Sequence, residues 1–111
     1  MNPECFKIEK VSSNYYIFDW EGKIFKLGEN AKSCKIDVFS DCFYVKEKDF
    51  QWYTISCAIT GFIIGKARTL KEAKQKVYDR INALQFNNLS EIINDSIKRN
   101  GLSPRYKFKQ E

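Results

Sequence analysis

The chain has 111 residues, 43% of them hydrophobic and 30% charged, with a net charge of +5 and no histidine. That size and balance describe one globular domain with its own core; a disordered polymer is excluded, and a division in two would leave each half short of core. No run reaches the ~18–20 apolar residues that a bilayer crossing requires. The opening Met1-Asn2-Pro3-Glu4 lacks the basic and apolar regions of a secretion signal, so the chain reads as cytoplasmic and free of membrane.

The first part reads as strands. Phe6 and Ile8 alternate with Lys7 and Glu9, the period of a strand buried on one face. Tyr15 to Trp20 is aromatic and β-branched, and Asp19-Trp20-Glu21-Gly22 offers a turn into Lys23 to Leu27. Gly28 to Ser33 reads as a loop. Cys34, Ile36 and Val38 alternate with Lys35 and Asp37, and Ser40-Asp41 is expected to turn that strand back into Cys42 to Lys46. After the polar turn Lys46-Glu47-Lys48-Asp49, Phe50 to Thr60 is expected as the longest strand, with Gly61 turning it into Phe62 to Lys66. Short segments joined by short polar turns favour antiparallel pairing, because no helical stretch is available for a parallel crossover.

The pattern changes at Thr69. The spacing Thr69-x-x-Glu72 is a reciprocal capping pair, and Leu70, Ala73, Val77, Ile81 and Leu84 then fall on one face of a helix. Asn88 and Glu91 open a second helix with Leu89, Ile92 and Ile93 on its apolar side and Ile97 toward the edge. Lys98 and Arg99 suit its carboxyl end, and Asn100-Gly101 followed by Pro104 ends it. The expected fold is therefore α+β over residues 1–111: an N-terminal antiparallel sheet of about five to seven short strands, then two C-terminal helices packed on it. Residues 102–111 form a basic C-terminal arm or an edge strand.

Without histidine the usual neutral-pH proton shuttle and the Ser-His-Asp and Cys-His arrangements are excluded. Asp37 and Asp41 show no spacing that aims two carboxylates at one substrate, and Asp41 reads as a turn residue. Gly61-x-x-x-Gly65-Lys66 lacks the following Ser or Thr of a phosphate loop. Cys5, Cys34, Cys42 and Cys57 are too far apart for a zinc knuckle, the closest pair being eight residues apart. They read as reduced thiols packed as small hydrophobes. The expectation is a non-enzymatic chain with no metal and no cofactor.

Charge supplies the functional signal. Residues 1 to 51 hold 8 lysines against 9 acids, whereas residues 52 to 111 hold 11 basic residues against 5 acids. Such a half attracts phosphate backbones or acidic protein surfaces. Lys66, Arg68, Lys71 and Lys74 are the candidate phosphate contacts, extended by Arg105, Lys107 and Lys109 in the tail, where basic and aromatic residues alternate. On the helical wheel Lys71 and Lys74 flank one side of the apolar stripe, Lys76 and Arg80 the other. Glu72 to Lys76 has the spacing of an i,i+4 ion pair. Lysines so placed equally well lay their stems along a buried face.

The run Trp52-Tyr53-Thr54-Ile55-Ser56-Cys57-Ala58-Ile59, continuing through Thr69-Leu70-Lys71-Glu72-Ala73-Lys74 to Leu84, resembles the second half of a double-stranded-RNA-binding domain. The resemblance implies antiparallel strands followed by a helix whose Lys-Lys-x-Ala-Lys opening grips phosphates across a major groove. Lys71 and Lys74 match two of those lysines and Ala73 the alanine, while Leu70 stands in place of the remaining lysine. The first helix and the Gly-Pro-x-His loop of that family have no counterpart here, and the likeness covers about a third of the chain.

The leading expectation is a small nucleic-acid-binding protein making mostly electrostatic backbone contacts, with DNA and RNA not distinguished. The alternative is a protein-binding inhibitor or adaptor that occludes a larger partner through exposed aromatic residues such as Trp20 or Trp52. Thirteen of the seventeen aromatic residues precede residue 63, and Tyr16, Trp20, Tyr44 and Tyr53 keep a polar handle suited to an exposed ring.

Overall fold

Alternating and β-branched residues in the first two thirds form strands, as the pattern predicts, and the apolar stripes after Thr69 form helices. The computed structural model describes residues 7–36, 39–47, 49, 51–84 and 89–109. In chain order the elements are β1 (Ile8–Lys10), β2 (Tyr16–Asp19), β3 (Ile24–Leu27), β4 (Lys32–Ile36), β5 (Phe39–Lys46), β6 (Tyr53–Cys57), β7 (Ile63–Ala67), α1 (Leu70–Leu84), α2 (Leu89–Asn100) and β8 (Tyr106–Phe108). All pairings are antiparallel: a four-stranded sheet in the order β4-β5-β6-β7, a β2-β3 hairpin, and a ribbon of β1 with β8. The C-terminal tail is thus an edge strand rather than an arm. No helix among the described residues is long and apolar enough to cross a membrane.

Register assigns the two faces of the sheet, because side chains alternate along each strand. Cys34, Cys42 and Cys57 stand opposite one another in a row across β4, β5 and β6, and Tyr44 pairs with Ile55, Lys46 with Tyr53. This face receives α1, whose Ala73, Val77 and Ile81 are buried, and α2, whose Ile93 and Ile97 join the same core. Ile97, expected toward the edge, is in fact covered. The cysteines are free and buried, packing as small apolar side chains; Cys5 lies outside the described residues. On the other face Phe43 is fully buried beneath Tyr15, their rings 4.7 Å apart, and the hairpin docks through the Phe18 amide donating to the Gly61 carbonyl at 3.0 Å.

Three boundaries differ from the sequence expectation. Asp41 lies inside β5 rather than in a turn, since its backbone carbonyl accepts from Ala58 and its side chain is held from the tail. Of the strand expected before that turn, Asp37 and Val38 fall outside the described residues. β6 is only five residues long, because Ala58 to Thr60 already turn, with Gly61 at φ 71° completing the reversal. β4 begins at Lys32, inside the expected loop. Thr69 caps α1 by accepting from the Glu72 amide at 3.1 Å. Asn88, the expected cap of α2, lies outside the described residues, as does Phe6; of the Leu84 and Leu89 side chains nothing is described.

Gly65 sets how closely α1 approaches the sheet. A Cβ there would sit 2.8 Å from Val77 Cγ2 and 3.0 Å from the Ala73 carbonyl oxygen, inside contact distance for both. Gly65→Ala should therefore lift the helix and cost about 1–3 kcal/mol in urea unfolding; an unchanged midpoint would refute the close approach.

Candidate nucleic-acid interface

The sheet end where β6 begins and β7 finishes gathers cations and rings. Trp52 enters β6 from the β5–β6 turn, its carbonyl accepting from the Glu47 amide at 2.8 Å. Lys66 Nζ and the Arg68 guanidinium each lie 5.7 Å from the Trp52 ring centre. Around the same end, on the helix side of the sheet, Lys46 Nζ is 5.6 Å from the centre of the Tyr53 ring, and Tyr53 is 6.1 Å from Tyr44. Lys32 stands directly across from Tyr44 on β4 and is exposed. The first turn of α1 adds Lys71, exposed, and Lys74, half-buried and near enough to Cys34 for its charge to favour that thiolate.

Neutralisation is uneven. Lys66 Nζ is 3.4 Å from a Glu47 carboxylate oxygen, and Glu47 also accepts from the Thr54 hydroxyl at 3.2 Å. Lys76 and Arg80 turn the other way: Lys76 Nζ donates to the Lys66 carbonyl at 3.1 Å and Arg80 Nη1 to the Ile64 carbonyl at 3.3 Å. These two side chains cover outward carbonyls of the edge strand β7, which would otherwise invite another strand. Lys76 thereby serves the β7 edge instead of the i,i+4 pair with Glu72. Arg68, Lys71, Lys74, Lys32 and Lys46 have no carboxylate partner among the described residues.

The seven candidate residues do not form one surface. Lys66 and Arg68 lie beside Trp52 at the sheet end just described, and Lys71 and Lys74 lie on the start of α1 over the opposite face of the sheet. Arg105, Lys107 and Lys109 lie with the β1–β8 ribbon near the start of β5, and Asp41 to Lys46 along that strand spans about 17 Å. Lys107 pairs with Glu9 across the ribbon at 3.2 Å, while the Lys109 side chain is exposed. Arg105 is only 4% exposed. Its Nε donates to Asp41 Oδ2 at 2.8 Å and its Nη2 to Oδ1 at 3.4 Å, while Nη1 reaches the carbonyls of Ser12 and Asn14 at 3.3 and 3.1 Å. Its guanidinium also lies 4.1 Å from the Tyr15 ring centre. All three nitrogens are thus spent inside the fold. The Tyr106 hydroxyl donates to the same Asp41 carboxylate; burial pushes this phenol upward, and donation to the carboxylate adds to the rise.

Sequence reasoning missed Lys46 and Lys32 as members of the cationic end, because only strand register places them beside Tyr53 and Tyr44. No cluster of potential metal ligands occurs among the described residues. Comparison with family models, with curated proteins and with solved structures returns no match to the chain. These comparisons lend no support to the likeness to the RNA-binding family read from the Trp52 to Leu84 sequence.

Asp41→Asn leaves the buried Arg105 without its counter-charge and should cost about 3–5 kcal/mol in urea unfolding. Tyr106 supplies a pH signature. Its folded-state value lies above the ordinary 10.0, so its contribution is complete below about pH 10 and declines as pH rises further toward the folded value. Tyr106→Phe should remove that part of the alkaline loss, read as a shallower fall of stability above about pH 10 than in the parent chain.

Proposed function

We propose that this chain is a non-enzymatic nucleic-acid-binding protein that holds single strands at the cationic end of its sheet. The observation carrying the proposal is the placing of cations over half-buried rings: Lys66 and Arg68 about Trp52, and Lys46 about Tyr53. Rings of this kind stack bases without regard to sequence, and lysines follow the phosphates. Lys71 and Lys74 extend the charge along the first turn of α1, where the helix dipole also favours an anion. Arg105 has no part in this reading, and Lys107 and Lys109 lie too far away to share a short segment. Duplexes suit the site less well, because a closed stack offers no free base faces to Tyr44, Tyr53 or Trp52.

A second reading rests on the β2–β3 hairpin, where Trp20, Ile24 and Leu27 are each more than half exposed. Such rings and aliphatic groups would anchor a protein partner, as in an inhibitor or adaptor. A partner held there leaves the sheet end free, so the two readings separate by mutation.

Fluorescence anisotropy with labelled single-stranded and duplex DNA and RNA tests the proposal. Single strands should bind at low salt with log K falling by roughly 3 per decade of salt, the slope for about four phosphates. Arg68→Glu with Lys71→Glu should weaken binding more than about tenfold, and Trp52→Ala should cost about 1–3 kcal/mol. Lys109→Glu should leave affinity nearly unchanged. Absence of binding at low salt, or equal affinity of the double charge reversal, would refute the reading.

A further inference from the structure

The far end of α1 holds a second concentration of unspent charge. A cleft of about 280 Å³ opens there between Arg80 of α1, Ile92, Ser96 and Arg99 of α2, Phe62 after the β6–β7 turn, and Trp20 at the hairpin tip. Two guanidiniums line this one cleft, and among the described residues neither has a carboxylate partner. Arg80 gives one N–H to the Ile64 carbonyl, and Arg99 gives Nε to the Asp95 carbonyl at 3.4 Å. Each guanidinium carries five donors, so most remain available.

The other walls differ in character. Trp20 is 57% exposed, held edge-on by Phe18 with ring centres 5.2 Å apart, and it faces the cleft together with Phe62 and Ile92. Ser96, only 4% exposed, adds a hydroxyl-bearing residue to the lining of the cleft.

Two guanidiniums beside a flat apolar wall fit a ligand with an anionic head and an apolar body. Guanidinium forks pair with carboxylate or phosphate through parallel N–H bonds. The volume lies just under the usual range of about 300–1,000 Å³ for small-molecule pockets, which limits the guest to about one ring and one head group. We propose that this cleft binds a small aromatic molecule bearing a single carboxylate or phosphate, its ring against Trp20 and Phe62 and its anion between Arg80 and Arg99. The Ser96 hydroxyl donates to the same anion. Lys71 lies about 13 Å away along α1, so this site is independent of the cationic sheet end.

Amide and indole NMR titration tests this with phenyl phosphate and benzoate as the two anionic probes and benzyl alcohol as the neutral control. The Trp20 indole signal and amides around Ser96 should move, while the Trp52 indole stays in place. Whichever probe binds tighter identifies the head group, and the neutral control should bind at least about tenfold more weakly than that probe. Arg99→Gln disturbs only the bond to the Asp95 carbonyl, and should weaken the tighter probe by about tenfold with the rest of the spectrum intact. Trp20→Leu, at an exposed tip, should weaken it as well. Equal binding of anionic and neutral probes, unchanged affinity in Arg99→Gln, or shifts centred on Trp52 would each overturn the proposal.

Discussion

The ion pair between Asp41 and Arg105 ties together three parts of the chain that have little else in common. Asp41 lies near the start of the second strand of the main sheet, Arg105 leads into the last strand, and the carbonyls of Ser12 and Asn14 come from the segment between β1 and β2. Burying a guanidinium is costly unless every donor is satisfied. Here the carboxylate and two carbonyls take four of the five N–H donors, and the face of Tyr15 covers the guanidinium. The pair acts with its neighbours: Ser103 Oγ donates to the Ala58 carbonyl at 2.7 Å, and Tyr106 donates to Asp41. A chain crossing from α2 to the β1–β8 ribbon is thereby fastened to the sheet at Ser103, Arg105 and Tyr106. Loss of the counter-charge would release the ribbon from the sheet and expose the ring stacked on Phe43.

The same pair marks where sequence reading stops. Residues governed by local periodicity were legible: the stripe Ala73, Val77 and Ile81 predicted α1 with both its ends, and alternation at Cys34 and Ile36 predicted a strand. Thr69 was legible as a cap because its partner is three residues away. Asp41 and Arg105 are 64 residues apart, and nothing in the neighbourhood of either shows that it will be buried. Asp41 accordingly resembled a turn residue and Arg105 a surface cation. The division of the strands into one sheet, one hairpin and one ribbon was hidden for the same reason, since pairing is decided by contacts distant in sequence.

Formal charge proved a coarse guide to field. The basic second half contains Arg105 and Lys107, both answered by carboxylates from the first half, and Lys66, which shares Glu47. Lys76 and Arg80 cover carbonyls at the β7 edge, so their position is set by the strand they protect. A helical wheel separated these two from Lys71 and Lys74 without showing what each flank meets. The exposed strand edge supplies that reason. One flank of α1 guards backbone, and on the other Lys74 stands near Cys34 of β4.

Helix α1 consequently divides the molecule into two chemically distinct ends. Its amino-terminal turn lies beside lysines and rings on an open sheet end, where a long flexible polyanion can be followed over several contacts of modest strength. Its carboxyl-terminal part borders a cleft closed on several sides by α2, the β6–β7 turn and Trp20, a shape that admits only a small guest. Gly65 connects the two, because the close approach it allows brings Val77 onto the sheet and so fixes where both ends of the helix fall. A change that lifts the helix would open the cleft and displace Lys71 and Lys74 together. Changes at Arg99 or Arg68 act on one end alone, which is why surface substitutions can resolve the two sites while core substitutions cannot.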